Sequence, residues 1–316
     1  MPSRYPRLDR EKARTLSIAG RTHKVKVEDL AQLGTASFLD GLPAQLKAVD
    51  WKEFCGSLAA AFRQRLPVIA MLGAHVIKVG CGPVLIDWVR RGYLTAVAFN
   101  GATAIHDAEL AMWGATSEDV EEGLADGSFG MVEETPRLFA AAAERAERED
   151  LGLGEALGAE LEERKAPHAG ASLAAACHEH RVPLTVHVAL GTDTIHQHHL
   201  IDGARLGAAS LTDFRVLAAA VAKLVPGSVV LNLGSAVILP EVFLKVLTLA
   251  RNLGHECKGL ISADFSMIPQ YRPAVNVVGR PTRTGGGKGY SFTGHHELLL
   301  PLLHRCVEEC LGRALI

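Results

Sequence analysis

Pro67-Val-Ile-Ala-Met-Leu-Gly73 and Leu94-Thr-Ala-Val-Ala-Phe99 are the two stretches on which the fold turns. Each is a short, nearly unbroken apolar run, without the alternating polar residues of a strand wetted on one face. Between them, Val84, Leu85, Trp88 and Val89 recur at helical spacing from Pro83 to Arg91, and Gly92 supplies a stop. Strand, helix and strand within about 33 residues is the length of a βαβ unit.

The same alternation continues outward. A helix is predicted from near Thr103, and Thr116-Ser-Glu-Asp119 carries a capping pattern. The Ala-, Glu- and Arg-rich stretch that follows, to about Leu161, reads as mainly helical. Pro183 to Leu190, Val229 to Leu233 and Leu260 to Ala263 read as further buried strands. Helices are predicted over Ser210 to Leu224, Pro240 to Leu253 and Glu297 to Cys310. Gly279 to Gly294 holds six glycines and no periodicity, which predicts a functional or mobile loop able to act as a lid. Strands apolar throughout and separated by helices imply a doubly wound α/β fold, its mainly parallel sheet covered by helices on both faces. The expectation is one domain over residues 51–316, with residues 1–50 as a helical extension.

Composition narrows the function classes. Of 316 residues 48% are apolar and 22% charged, which is ordinary for a globular chain. Lys and Arg number 33 against 35 for Asp and Glu, so the basic excess of a nucleic-acid binder is missing. No apolar run is long enough to span a bilayer, and the polar N-terminus lacks a signal-peptide core. The six cysteines form no CxxC pair, so reduced thiols in a cytoplasmic protein are expected.

Two segments carry a family resemblance. Gly73-Ala-His-Val-Ile-Lys-Val-Gly-Cys-Gly-Pro-Val-Leu-Ile-Asp-Trp-Val89, followed by Ala96-Val-Ala-Phe-Asn-Gly-Ala-Thr-Ala-Ile-His-Asp107, resembles the first nucleotide-binding unit of deoxyhypusine synthases. Pro183-Leu-Thr-Val-His-Val-Ala-Leu-Gly-Thr-Asp193 and Val229-Val-Leu-Asn-Leu-Gly-Ser235 resemble that family's Thr-Asp turn and glycine-bearing strand end. The resemblance implies a Rossmann-like NAD-binding fold, a homotetramer, and aminoalkyl transfer through an imine on a lysine. It places NAD contacts at Ala74, His75, Ile77, Asn100, Gly101, Ala102, Asp107, Asp193 and Gly234, and more weakly at Ser262, Ala263 and Asp264. It offers Lys288, in Gly285-Gly-Gly-Lys-Gly-Tyr290, as the imine-forming lysine, although by spacing Arg280 stands at that position equally well. The helix that should carry the family's His-His pair and Asn reads Leu239-Pro-Glu-Val-Phe-Leu-Lys245. Arg272, Arg280 and Arg283 replace the family's acidic residues, and guanidinium groups suit carboxylate or phosphate, so an anionic substrate other than spermidine is expected.

Read as residues alone, Asn100-Gly-Ala at a strand end opening a helix is a cradle for diphosphate, without a GxGxxG fingerprint. His187, Asp193, His196, His198 and His199, with His295 and His296, form the densest His/Asp group in the chain. His198 and His295 are the candidate proton carriers and His196 a candidate substrate contact. Asp107 either meets ribose hydroxyls or caps a helix. No metal site is expected, but a metal-dependent hydrolase or lyase using residues 187–199 is the first alternative. A catalytically silent NAD-binding protein is the second. The partners expected are a small-molecule amine donor or anionic acceptor and further copies of the chain.

Overall fold

The computed structural model describes residues 4–312, so the outermost ends of the expected 1–50 and 51–316 segments lie outside the described residues. The chain divides into two compact units, one ending at Val49 and one beginning at Asp50. The first holds three isolated 3-10 turns and the four-residue helix α1 (Phe38–Gly41), where the sequence predicted a longer helical extension. Its turns are capped by their own short polar side chains, Asp9 accepting from the Glu11 N–H and Ser17 from the Ala19 N–H. No apolar residue of those turns is buried, so nothing extends them into helices.

Helix α2 (Leu46–Arg63) runs across the division. The second unit then follows as β1 (Val68–Leu72), α3 (His75–Lys78), α4 (Gly82–Arg90), β2 (Ala96–Asn100) and α5 (Gly101–Trp113). Helices α6 (Val120–Asp126), α7 (Glu134–Glu149), α8 (Leu153–Glu163) and α9 (Leu173–Glu179) precede β3 (Leu184–His187) and α10 (Gly203–Val221). The chain continues through β4 (Val229–Leu233), α11 (Ile238–Asn252), β5 (Ile261–Ser266), β6 (Lys288–Thr293) and α12 (His296–Gly312). The six strands form one sheet in the order β3-β2-β1-β4-β5-β6, and every pair is parallel. This is the α/β doubly wound arrangement, Rossmann-like in its 3-2-1-4-5-6 order, expected from the apolar strands. In β1 the alternation of side chains sends Ile69 and Met71 to the face covered by Leu217, Val221, Phe243 and Val246 of α10 and α11. Val68, Ala70 and Leu72 point the other way and are equally buried. That is why the run shows no polar alternation.

One expectation is corrected. The glycine-rich stretch read as a loop or lid contains β6, paired with β5 from Ile261↔Lys288 to Ser266↔Thr293. Tyr290 and Phe292 bury on one face beside Trp51 and Phe54, with ring centroids 5.0 Å apart for Trp51–Phe292 and 5.4 Å for Phe54–Tyr290. Two apolar side chains suffice for an edge strand, too few for a visible period. Gly289 is required because a Cβ there would lie 2.2 Å from the Val278 carbonyl, where the π-helical turn Pro273–Gly279 crosses the strand. Among the described residues no helix is long and apolar enough to cross a membrane.

Candidate functional site

In a doubly wound sheet, ligands bind outside the C-terminal strand ends, at the point where the strand order reverses. Here that point lies between β1 and β4. Gly73, just past β1, donates its N–H to Leu233 O (2.9 Å), and Gly234, just past β4, donates to Phe265 O (2.9 Å). His75, the first residue of α3, and His296, the first of α12, meet at this reversal with their Nδ1 atoms 3.0 Å apart. His296 is buried, and its Nε2 lies 2.9 Å from Phe265 O. A carbonyl only accepts, so His296 Nε2 carries the hydrogen. In the neutral pair, Nδ1 of His296 then accepts from His75 Nδ1–H. His75 Nε2 is left bare. Burial, helped by the neighbouring His296, lowers the His75 pKa and keeps that ring neutral.

Beneath this pair lies a buried polar group that sequence reading caught only through Asp264. Asn232 Nδ2 donates to Asp264 Oδ1 (2.7 Å) and to Ser235 O (2.9 Å), and the Ser266 hydroxyl donates to the same carboxylate. Asn232 Oδ1 is buried without a partner. Burial raises the Asp264 pKa against the lowering from Asn232 and Ser266. The missed signal was available: Asn232 is the one polar residue in the fully buried β4, and Ser266 closes β5 beside Asp264.

On the other side of β1, Asn100 ends β2 and caps α5, its Oδ1 accepting from Thr103 N–H (2.8 Å). Gly101 follows because a Cβ there would lie 2.0 Å from Asp193 Oδ2. The Asp193 carboxylate accepts from the Ala102 N–H and from the His196 backbone, and its Oδ2 is buried without a partner. His196 Nδ1 accepts the N–H groups of Gly191 (3.1 Å) and Asp193 (3.2 Å), so this ring holds the turn that carries Asp193. Asn100, Gly101, Ala102 and Asp193 thus converge as the sequence implied, with one correction. The anion at the start of α5 is the chain's own carboxylate, so a diphosphate does not fit there. Hydroxyl donors, such as those of a ribose, do fit Asp193. Burial raises its pKa, which favours exchanging buried lone pairs for hydrogen bonds.

A cleft of about 660 Å³ opens beside Asp193 and Ala102. His106 and Glu109 reach it from α5, Thr116 from the loop after it, and Thr135 from the start of α7. His106 Nδ1 lies 2.7 Å from Thr116 Oγ1, the Thr116 hydroxyl donates to Glu109, and the Thr135 hydroxyl donates to Glu109 Oε1 (2.9 Å). Lys78 of α3 also lines the cleft and makes no ion pair among the described residues. Glu109, Thr116, Thr135 and Lys78 escaped sequence reading, since four residues scattered over 58 positions carry no local motif.

The remaining candidates lie elsewhere. Lys288 is exposed, starts β6 at the N-terminal edge of the sheet, and pairs with Glu53. Five residues of strand, roughly 17 Å, separate it from the C-terminal edge, so it cannot serve a site at the strand reversal. Asp107 is fully buried and caps α9, accepting from Ser172 Oγ (2.6 Å), Leu173 N–H (2.8 Å) and Ala174 N–H (3.0 Å), so it does not meet a ribose. Ile77 is a core side chain, and Ala74 precedes α3 as its N-cap. Arg272 pairs with Glu241 (3.2 Å) and Arg280 with Asn276 (2.8 Å), while Arg283 sits next to Thr284, whose carbonyl binds Gly259 ahead of β5. Arg272 and Arg280 are thus engaged by Glu241 and Asn276, which are themselves hydrogen-bonded to each other (2.9 Å). His198 stacks on His199 with centroids 4.6 Å apart, and exposed His295 lies 3.5 Å from Glu297. His187 is buried against the Thr185 hydroxyl (3.0 Å). Among the described residues no three of His, Cys, Asp and Glu converge to hold a metal ion, so the 187–199 group does not assemble as one.

Comparison with known proteins adds the fold. No protein-family model matches the chain, and neither does any curated protein. Among solved structures, the ternary complex of AgrE with ornithine and NAD+ aligns with a TM-score of 0.52 at 16% identity, over 83% of this chain and 33% of that one. A conserved putative LOR/SDH protein from Methanococcus maripaludis S2 aligns with a TM-score of 0.50 at 15% identity, over 86% and 71%. Apo ArgZ, an arginine dihydrolase from the ornithine-ammonia cycle in cyanobacteria, aligns at 0.46 and 15%, over 85% and 34%. The chain spans about a third of the length of AgrE and of ArgZ. At these identities the likeness is one of fold, and none of the three is described as a deoxyhypusine synthase.

Proposed function

We propose that this chain is an NAD-dependent enzyme oxidising a carbon that bears an amine or a hydroxyl. The observation that carries the reading is the strand reversal between β1 and β4, where His75, His296 and Asp264 gather, with the Asp193 carboxylate at the start of α5 beyond the neighbouring β2. The AgrE complex supports it, as a protein of like fold described with NAD+ and an amino acid. When bound, the nicotinamide supplies a hydride acceptor. Asp193 takes ribose hydroxyls at the start of α5, which its unpartnered Oδ2 fits. His75, held through Nδ1 by His296, presents a bare Nε2 that accepts a hydrogen bond, which suits a donor such as the nicotinamide amide or a substrate N–H or O–H rather than the diphosphate. Transfer through an enzyme-bound imine would need a lysine at this edge, and Lys78 rather than Lys288 has that placement.

Calorimetric titration with NAD+ tests the reading. Binding in the micromolar range, weakened about tenfold in Asp193→Ala, is expected for loss of a charge-assisted hydrogen bond. No heat of binding to well-folded protein would sink it. The family resemblance also supports a homo-oligomer, and light scattering that gave a monomer would count against a shared subunit site.

A further inference from the structure

We propose that the cleft beside α5 is a substrate site for a small carboxylate with a hydroxyl or amine on the adjacent carbon and an apolar tail, Lys78 anchoring the carboxylate and His106 acting as the base. The inference rests on the redox reading above and extends it to the substrate class.

The tautomer of His106 follows from its partners. The Thr116 hydroxyl has one hydrogen, which goes to Glu109. Its oxygen therefore accepts from His106 Nδ1–H at 2.7 Å. The ring's Nε2 is left bare, in a side chain that lines the cleft. Glu109, held in turn by the Thr135 hydroxyl, completes a relay that orients the imidazole and stabilises it once protonated. His106 and Glu109 are 3.9 Å apart at their nearest charged atoms, close enough for that support without direct pairing. Burial, reinforced by Lys78, lowers the pKa of His106 and so keeps its base form available at neutral pH, while Glu109 opposes the shift.

The ligand class follows from what else lines the space. Lys78 is the one lysine or arginine among the described residues lining the cleft, and it makes no ion pair there. The carboxylates of Glu109, Glu118 and Asp193 beside it are already held by threonine hydroxyls or backbone N–H groups, which leaves Lys78 to meet an anionic group on the ligand. Ile105, Trp113, Val120, Phe129 and Val132 give the cleft an apolar part beside Glu118 and Glu134, and Trp113, Val120 and Val132 are substantially exposed, so an apolar tail gains by covering them. α3 carries His75 at its start and Lys78 at its end, and Lys78 lines the cleft. In the reaction, the substrate's O–H or N–H bond breaks and its proton goes to His106 Nε2. The adjacent C–H electron pair leaves as hydride to the dinucleotide of the proposed reaction, and a C=O or C=N double bond forms.

The test uses full-length protein with isotope-labelled histidine, without dinucleotide, and three probes: 2-hydroxyhexanoate, L-norleucine and plain hexanoate. Long-range nitrogen–proton spectra should show His106 as the Nδ1–H tautomer, and Thr116→Val should mix the tautomers. The hydroxy or the amino acid should shift the Nε2 resonance saturably, with hexanoate binding about tenfold more weakly for want of the donor. Lys78→Met should weaken the better probe by about tenfold or more. A His106 ring protonated at Nε2, no probe response, or affinity indifferent to Lys78→Met would each overturn the proposal. NAD+ calorimetry on the same samples separates the two readings. NAD+ binding without a probe response defeats the cleft assignment alone. A probe response without NAD+ binding defeats the redox reaction and leaves the carboxylate site standing.

Discussion

Helices α5 and α9 both begin against a carboxylate borrowed from another element, and the two N-termini differ in what surrounds that carboxylate. At α9, both oxygens of Asp107 are bonded and the side chain is sealed in the core. At α5, Asp193 stands on a loop beside an open cleft and keeps one buried oxygen without a partner. A helix N-terminus attracts negative charge in either setting, through its free N–H groups and dipole. What distinguishes a structural cap from a binding residue is the spare hydrogen-bonding capacity left over, together with an approach for a ligand.

The sharpest way to break this comparison is Asp107→Ala. It strands two buried N–H groups and a hydroxyl, so a loss of about 3–4 kcal/mol in chemical denaturation is expected. A loss no larger than that of Asp193→Ala would erase the distinction. Next comes His187, a ring buried against the Thr185 hydroxyl. Burial pushes its pKa down to about 4, below the ordinary histidine value. The unfolded chain therefore takes up a proton that the native ring refuses. Stability is unaffected above the ordinary value, falls as the pH drops from about 6.5 to about 4, and is lower there by roughly 3 kcal/mol. Denaturation midpoints at neutral and acid pH check the slope, and His187→Phe should flatten it.

Asp193→Asn keeps an acceptor for Ala102 N–H and removes the charge, so a stability loss of about 1 kcal/mol is expected. Gly101→Ala tests the same contact from the other side, because its Cβ meets Asp193 Oδ2 at 2.0 Å. It should lower NAD+ affinity by displacing that carboxylate, and unchanged binding would detach Asp193 from the cofactor. The smallest effect belongs to Lys288→Met. An exposed ion pair with Glu53 contributes about 0–1 kcal/mol, and NAD+ titration should be indifferent to its loss. A variant that folds yet loses binding would return Lys288 to the site.

How much of this was legible in advance depends on the range over which each cause acts. Five strands announced themselves because a strand buried on both faces is apolar at most positions. β6 did not, since an edge strand with two buried aromatics among glycines has too short a pattern to register. The convergence of Asn100, Gly101 and Asp193 came through the family resemblance. Asp107 was a choice between two roles that local sequence could not decide. The arginines illustrate the opposite failure. Their charge predicted an anion site, but Glu241, remote in sequence, already holds Arg272, and Asn276, one helical turn away, holds Arg280.

The order of apolar runs and helical periods in the chain was thus enough to dictate a parallel, doubly wound sheet, because burial acts residue by residue and leaves its mark locally. Which end of the sheet each polar side chain reaches, and which partners satisfy it, emerged only on folding. Lys288, which the family resemblance offered as the imine lysine, lies about 17 Å from the C-terminal edge of the sheet, by the rise of a single strand. The relay of His106, Thr116, Glu109 and Thr135 exists because α5, a loop and α7 pack around one cleft. Hydrogen bonds of that kind depend on distances of about 3 Å between residues remote in sequence, and only the packed chain sets such distances.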